Sequence, residues 1–269
     1  MTGSGPVPAD AEGPPPDIDI SVAHVARVYD YWLGGKTNFT PDQVAARAAM
    51  RAAPHVAEGV RGNRAFLARA VRYLVGQVGV RQFLDIGTGI PAADNTHEVA
   101  QAMARECRVV YVDNDPIVLS HARALLTSGT KGATAYLDED LRNVAELIRA
   151  AAGTLDFAEP VGVMLIGILQ CIPDEDDPVG IIKLLMDAVP SGSYLAISHP
   201  ASDIDVVGIR NLAYQLHELM PMELRFRSRA EVTALFDGLS WWSPAWSGYR
   251  NGGPTRARIP PTRRPSGAG

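Results

Sequence analysis

The chain has almost no cysteine: only Cys107 and Cys171 occur in its 269 residues, far apart and without a CxxC pair or a Cys/His cluster. That argues against a disulfide framework and a structural zinc site, so no metal is expected. It also lacks an uninterrupted apolar run of about 18 residues, and its N-terminus is polar and Pro-rich where a secretory signal would be basic and then apolar. A membrane span and secretion are therefore not expected, and a cytoplasmic protein with reduced thiols is. Nor is there an excess of positive charge. Lys and Arg number 25 against 30 Asp and Glu, for a net charge of −5, which gives no global pull towards nucleic acid or an anionic membrane. What is there, 46% hydrophobic and 20% charged residues, is ordinary globular usage and predicts a folded body.

The two ends differ from the middle. Residues 1–20 hold five prolines and four acids with no Lys or Arg, too little apolar surface to offset the entropy of ordering, so a disordered leader is expected. Residues 251–269 are rich in Gly, Pro and Arg, with Arg256, Arg258, Arg263 and Arg264 unbalanced by any acid. A solvated tail is favoured there over a nucleic-acid arm.

Between the ends, helical and extended patterns alternate. Over 61–78, apolar residues recur at Phe66, Leu67, Ala70, Val71, Leu74, Val75 and Val78 while Arg61, Arg64, Arg69 and Arg72 take other faces, which predicts an amphipathic helix. An earlier helix is expected to open with Thr40 as cap, Pro41 at the first helical position and Gln43 completing a capping box. Short apolar runs at 82–86, 109–112, 133–137, 161–169 and 194–198 read as strands, separated by helical stretches at 96–106, 116–126, 141–151 and 178–189. Such alternation predicts an α/β, doubly wound fold: a mostly parallel sheet with helices on both faces. Helical segments at 204–219 and after the capping pair Ser228 and Glu231 follow.

Ligands bind an open parallel sheet beyond its carboxyl edge, so the turn after the first strand is the place for a site. It reads Asp85-Ile86-Gly87-Thr88-Gly89-Ile90-Pro91. Gly87 and Gly89, with Thr88 between them, permit positive φ and let backbone approach a ligand. The second strand closes on Asp113 and Asn114. A carboxylate there can accept hydrogen bonds from both ribose hydroxyls of an adenosine, and the rival role of helix cap falls to Asp115, just before Pro116. Asp138, Glu139 and Asp140 precede Leu141 after the third strand. Either one of these acids, with Asp140 and Leu141 the chosen pair, accepts the adenine amino group, or the run is a solvated turn and cap.

NAD and S-adenosyl-L-methionine both suit this arrangement. A dinucleotide needs a helix N-terminus for its pyrophosphate, but here Ile90-Pro91-Ala92-Ala93-Asp94-Asn95 intervenes before a helical pattern starts near Thr96, and Asp94 would repel the anion. Asp85 instead suits a sulfonium ligand carrying an amino group. S-adenosyl-L-methionine is favoured and a nicotinamide oxidoreductase is the alternative.

Several stretches carry a resemblance: 26–39 (Ala-Arg-Val-Tyr-Asp-Tyr-Trp-Leu-Gly-Gly-Lys-Thr-Asn-Phe), 63–67 (Asn-Arg-Ala-Phe-Leu), 83–91, 109–116 and 173–178 (Pro-Asp-Glu-Asp-Asp-Pro). Through them, over about residues 20–239, the chain resembles a bacterial S-adenosyl methyltransferase family of the class I type that long carried a domain-of-unknown-function label. The resemblance implies a methyltransferase domain over 21–239, S-adenosyl-L-methionine as cofactor, and a helical cap over 21–80 that helps close the pocket. The acceptor expected is a small molecule. In the cap, Tyr29, Tyr31 and Trp32 can stack on adenine or acceptor, Gly34 and Gly35 permit a tight turn, and Lys36 can meet a carboxylate. Tyr31, Gly35 and Lys36 are the cofactor contacts expected there. The rival reading is an amphipathic helix ending at a glycine cap, Gly34. Gln170, a further cofactor contact, stands where this family more often has His. Cys171 beside it reads as a buried small hydrophobe.

A sulfonium methyl is already activated, so alignment and desolvation supply much of the catalysis and a dedicated base is not required. For a hydroxyl acceptor, His199 and Asp174 are the candidate bases. A binder that senses the cofactor without catalysis is the other alternative. Beyond Leu239 the chain departs from the resemblance. Where relatives run Leu-Glu-Leu-Val-Glu-Pro-Gly-Leu-Val, it reads Leu-Ser-Trp-Trp-Ser-Pro-Ala-Trp-Ser, which loss of one base from a GC-rich coding of the former would give. A frameshifted, disordered tail over 240–269 is expected, with the last hairpin of the sheet missing or altered.

Overall fold

The computed structural model describes residues 19–120, 132–240, 247–250 and 253–256. Residues 1–18 of the leader expected over 1–20, the far half of the helix expected over 116–126, the Trp-rich run 241–246 and most of the Arg-rich tail lie outside the described residues.

Five strands form one parallel sheet: β1 (Gln82–Ile86), β2 (Arg108–Asp113), β3 (Thr134–Asp138), β4 (Val161–Ile166) and β5 (Tyr194–Ser198), in the order β3-β2-β1-β4-β5. Leu84 of β1 lies opposite Val110 of β2 and Val163 of β4. The helices are α1 (Val25–Leu33), α2 (Thr40–Ala52), α3 (Val56–Tyr73), α4 (Thr96–Met103), α5 (Val144–Ala151), α6 (Pro178–Asp187), α7 (Val206–Leu219) and α8 (Arg229–Ala234); residues 116–120 are also helical. Both faces of the sheet are covered, which is why β1 is buried along its whole length and reads as an unbroken run rather than an alternating one. Phe83, Val109 and Tyr111 pack with Leu67, Val71 and Val99 of α3 and α4, while Leu84, Ile86, Val110 and Val112 pack with Leu147, Ile181 and Leu185 of α5 and α6. Side chains alternate along a strand, so Asp85 and Asp113 share the face of Phe83 and Tyr111, towards α3 and α4.

The fourth strand is shorter than its apolar run. Gly167 takes φ +71, the chain leaves the sheet after Ile166, and 169–171 form a 3-10 turn. Gln170 therefore sits in a turn beyond the carboxyl edge.

A third apolar cluster joins α1, α2 and α7 through Val28, Trp32, Ala45, Ala46, Ala49, Leu212 and Leu216. The alanine face of α2 is what allows its neighbours so close. The first two helices thus share their core with α7. As the glycine-cap reading requires, α1 ends at Gly34 with φ +83. Thr40 does not cap α2: it is the first helical residue, and the Phe39 N–H donates to Asp42 Oδ2 at 2.7 Å. A carboxylate in the first turn of a helix also meets the helix dipole favourably. Asp42 Oδ1 accepts from the His24 N–H and from Arg27 Nε at 3.1 Å, tying α1 to α2. Gln43 donates to Asn38 instead. The helix expected over 61–78 begins earlier, at Val56, and passes at Leu74 into a π turn ended by Gly79.

Near the C-terminus, β6 (Ser247–Arg250) and β7 (Gly253–Arg256) pair antiparallel as a separate two-stranded sheet. Among the described residues no helix is long and apolar enough to cross a membrane.

Candidate functional site

β1 has β2 on one side and β4 on the other, so the strand order reverses across it and a crevice opens at the carboxyl edge. A cavity lies there. Its walls come from the turn after β1, the ends of β2, β3 and β4, and, from the cap side, His24, Tyr29, Asn63 and Arg64.

The glycine turn is held to β2, because the Gly87 and Thr88 N–H groups both donate to Val112 O, at 2.8 and 3.3 Å. Gly87 and Gly89 take φ of +71° and +66°. A Cβ on Gly87 would stand 2.5 Å from Ile168 Cγ1, whereas one on Gly89 would meet nothing within 4 Å. Gly87 therefore lets the turn pack against the loop after β4, and Gly89 leaves bare backbone facing open space.

Three acids fix the polar side. Asp113 Oδ2 accepts from the Gly89 N–H at 2.8 Å and Oδ1 from the Asp115 N–H at 3.0 Å. Burial raises its carboxyl pKa, and those two hydrogen bonds oppose the rise. Asp85 is buried and accepts from Thr96 Oγ1 at 2.6 Å. Burial pushes its carboxyl up to about 6, against the Thr96 hydrogen bond and the Arg64 charge. Asp140 accepts from Asn114 Nδ2 at 3.0 Å and from Arg142 Nη1 at 2.8 Å, beside the buried side chain of Leu141. Asp115 is the expected cap, taking the Ile117 N–H at 2.9 Å, and His24 Nδ1 stands 2.8 Å from its other oxygen, which ties the cap to the sheet.

Of the residues expected to touch a cofactor, Asp85, Gly87, Thr88, Gly89, Asp113, Asn114, Asp140, Leu141 and Gln170 all line this cavity, and Tyr31, Gly35 and Lys36 do not. Tyr31 turns to α2, where its hydroxyl accepts from Arg47 Nε at 3.0 Å; Tyr29, two positions and about 200° away round the helix, takes the inward place. Gly35 makes room for the Asp30 carboxylate, with which a Cβ would collide. Lys36 is exposed.

Neither His199 nor Asp174 lines the cavity. His199 Nε2 accepts from the Arg227 N–H at 2.9 Å, and burial, with the nearby Arg227 and Arg225 charges, pushes its pKa down to about 4. Its lone pair is already engaged. Asp174 pairs with Arg225 Nε at 2.8 Å and Arg227 Nη2 at 2.6 Å, contacts that hold its carboxyl below the usual range. Arg227 also donates to Leu169 O and Ile172 O, so these residues pin the turn that carries Gln170.

Arg64 and Asn63 are among the lining residues that had no site role in the sequence reading. Arg64 had been placed on an outer face, yet Val60, Arg64, Leu67 and Val71 form one stripe at i, i+4, i+7 and i+11, and that stripe is the inward one. Arg64 Nη2 donates to Ala93 O at 3.0 Å and Asn95 Oδ1 at 3.1 Å, while Nε is buried without a partner. Asn63 Nδ2 donates to Tyr29 Oη at 3.0 Å. At the β4 end Gln170 Nε2 donates to Gly167 O at 2.5 Å, and its Oε1 is buried without a partner.

Residues 11–251 match the family model described as S-adenosyl methyltransferase, a span that includes 240–251, beyond the point of departure read from the sequence. The chain is similar to a crystal structure of a DUF574 family protein from Streptomyces avermitilis, at 42% identity and a TM-score of 0.81, covering 84% of this chain and 87% of that one. It is also similar to that of a proposed methyltransferase from Thermobifida fusca, at 36% identity and a TM-score of 0.80, covering 86% of each chain. No curated protein matches it.

Proposed function

The chain belongs to the S-adenosyl methyltransferase family, and from that premise we propose that its cavity holds the cofactor along the ends of β1, β2 and β3 and a small-molecule acceptor at the end of β4. The enzyme is an S-adenosyl-L-methionine-dependent methyltransferase. A nicotinamide cofactor suits the site poorly, because residues 90–95 separate the glycines from the first residue of α4.

The residues present fit the cofactor. Asp113, already fixed through Gly89 and Asp115, keeps lone pairs for two ribose hydroxyls. Leu141 offers an apolar face for adenine, and Asp140 with Asn114 offers polar contacts at its edge. The open Gly89 backbone and the buried Asp85 take the amino-acid end. Bound there, the cofactor supplies a methyl group activated on a cationic sulfur. The chain's own task is then to orient the acceptor and exclude water, through the cap. Tyr29, Asn63 and Gln170 do this with neutral hydrogen-bonding groups. Cys171, whose thiol burial pushes up to about 12, is a wall and no nucleophile. A cytoplasmic location and the absence of a nucleic-acid partner belong to the same proposal.

The observation that carries this reading is the glycine turn bonded through Gly89 to Asp113 at the switch point. Calorimetric titration with S-adenosylhomocysteine and, separately, NAD tests it. S-adenosylhomocysteine is expected to bind and NAD is not; binding of NAD alone would overturn the assignment.

A further inference from the structure

The end of β4 holds a polar atom that has no partner among the described residues. Gln170 Nε2 donates to Gly167 O at 2.5 Å, and because a carbonyl only accepts, that bond fixes which end of the amide is which. Oε1 is then the free end, shielded from water and unpaired. The turn that carries it is held by its backbone, through the Arg225 N–H on Gln170 O and through Arg227 on Leu169 O and Ile172 O. A Cβ on Gly167 would stand 3.1 Å from Asn63 Nδ2 and 3.9 Å from Gln170 Nε2, so an amide of α3 and the amide of the turn meet over the same glycine. Leu33, Ile168, Ile172 and Met222 add apolar wall. A buried carbonyl oxygen left unpaired is costly, and a ligand that brings an N–H or O–H to it relieves the cost.

Among the described residues lining this end, none is suited to take a proton. Burial pushes up the pKa of the Tyr29 hydroxyl and of the Cys171 thiol, the latter to about 12. Asn63 and Gln170 are neutral amides. Asp30 of α1 also lines the cavity, but its carboxylate turns to Asn38 Nδ2 at 2.8 Å and packs on Gly35. An alcohol must lose its proton as it is methylated and an amine need not, so the two acceptor classes differ in their need for a base. A carboxylate beside an amine would also hold it as an ammonium ion without a lone pair, whereas a neutral, dry wall keeps it uncharged.

Resting on the proposed function, we propose that the acceptor is a neutral amine on an apolar or aromatic frame, and that Gln170 Oε1 accepts an N–H of the nitrogen to be methylated. The nitrogen lone pair forms the new N–C bond, the electron pair of the S–C bond returns to sulfur, and the positive charge passes from sulfur to nitrogen. The N–H proton stays on the product, held by Oε1, and is lost to water after release. The amide oxygen meets more positive charge on nitrogen in the transition state than before it, so the same bond contributes to rate as well as to binding.

Aniline is the probe, because it is a neutral amine at about pH 7 and its ring suits the apolar wall. Phenol has the same size with O–H in place of the amine, and N,N-dimethylaniline keeps the lone pair without an N–H. With the full chain and S-adenosylmethionine, mass spectrometry is expected to show N-methylaniline, and anisole from phenol at least about 100-fold more slowly, the lower range of what a general base supplies. In Gln170→Leu, kcat/KM for aniline is expected to fall about 10- to 100-fold, the range for one hydrogen bond to a charged group. S-adenosylhomocysteine affinity stays within about twofold, which also shows that the variant is folded. Binding of N,N-dimethylaniline to the S-adenosylhomocysteine complex, read by ligand-detected NMR, is expected to be unchanged or tighter in that variant, which a general loosening of the turn would not give. Phenol methylated as fast as aniline, an undiminished rate on aniline in Gln170→Leu, a loss of N,N-dimethylaniline binding in that variant, or no methylation of aniline by protein that binds S-adenosylhomocysteine would overturn the proposal. If S-adenosylhomocysteine does not bind the unaltered protein, it is the cofactor reading that fails, and this proposal with it.

Discussion

The two ends of the cavity are built from opposite kinds of chemistry. At the ends of β1 and β2 stand Asp85 and Asp113, with Arg64 of α3 beside them: Asp113 is held by the Gly89 and Asp115 N–H groups, Asp85 by Thr96, and Arg64 by Ala93 O and Asn95 Oδ1. At the end of β4 stand Gly167, Ile168, Gln170 and Cys171, faced by Tyr29 and Asn63, with no carboxylate among them. On the proposed function, the difference is a division of labour. A cofactor with fixed charges and hydroxyls is gripped by fixed countercharges, whereas an acceptor that meets an already activated methyl needs placement and dryness more than proton transfer.

Gly87→Val attacks the point where the two ends meet. A Cβ there runs into Ile168, and a β-branched residue at φ +71 is strained besides. S-adenosylhomocysteine affinity is expected to fall more than about 100-fold, of the order of 3 kcal/mol, with a cooperative melting transition retained; near-normal binding would place the ligand elsewhere. Asp113→Ala comes next. It removes the carboxylate that also holds Gly89, and a loss of about 1.5–3 kcal/mol in binding is expected by calorimetry. An unchanged affinity in the folded variant would take the charged end out of the site.

Much of the charged end was legible because it lies in consecutive residues. Strand, glycines and a following acid announce themselves within 82–91 and 109–113, and β1 and β5 match their expected limits. What stayed hidden depends on helix phase or on distant partners. Tyr29 and Tyr31 differ only in which way α1 turns, and an arginine among arginines reads as solvated until its stripe is traced through Val60, Leu67 and Val71. Asp174 and His199 looked like bases because Arg225 and Arg227, which engage them, lie 51 and 28 residues away. The packing of α7 on α1 and α2 has no local sequence signal at all.

pH sharpens the contrast, since Asp85 titrates in an accessible range and the β4 end offers little that does. Its pKa near 6 in the fold lies above the usual value of about 3.9 for an unfolded chain. The folded state then binds the extra proton between about pH 4 and 6, so this residue's contribution to stability declines as pH rises through that window. Ligand binding runs the other way. An ammonium group needs the ionised carboxylate, so S-adenosylhomocysteine affinity is expected to weaken towards tenfold per unit as pH falls below about 6 and to level off above 7. Asp85→Asn should bind weakly at every pH and flatten the profile; a wild-type profile that is already flat from pH 5 to 8 would remove Asp85 from contact with the amine.

The smallest effect is expected at the neutral end, from Gln170→Leu. The Oε1 atom lost is buried without a partner, so its removal relieves a desolvation cost, while loss of the Nε2 bond to Gly167 O costs about 1 kcal/mol. Leucine fills a similar volume, and the turn stays pinned by Arg227 through Leu169 O and Ile172 O and by the Arg225 N–H donating to Gln170 O at 2.8 Å, none of which involves the amide side chain. Stability by urea titration should therefore change by less than about 1 kcal/mol, and S-adenosylhomocysteine affinity by less than about twofold, or 0.4 kcal/mol. A loss as large as that for Asp113→Ala would mean that Gln170 grips the cofactor itself. The boundary between the two ends would then run beyond β4, and the acceptor would have to approach from the cap side alone, past Tyr29 and Asn63.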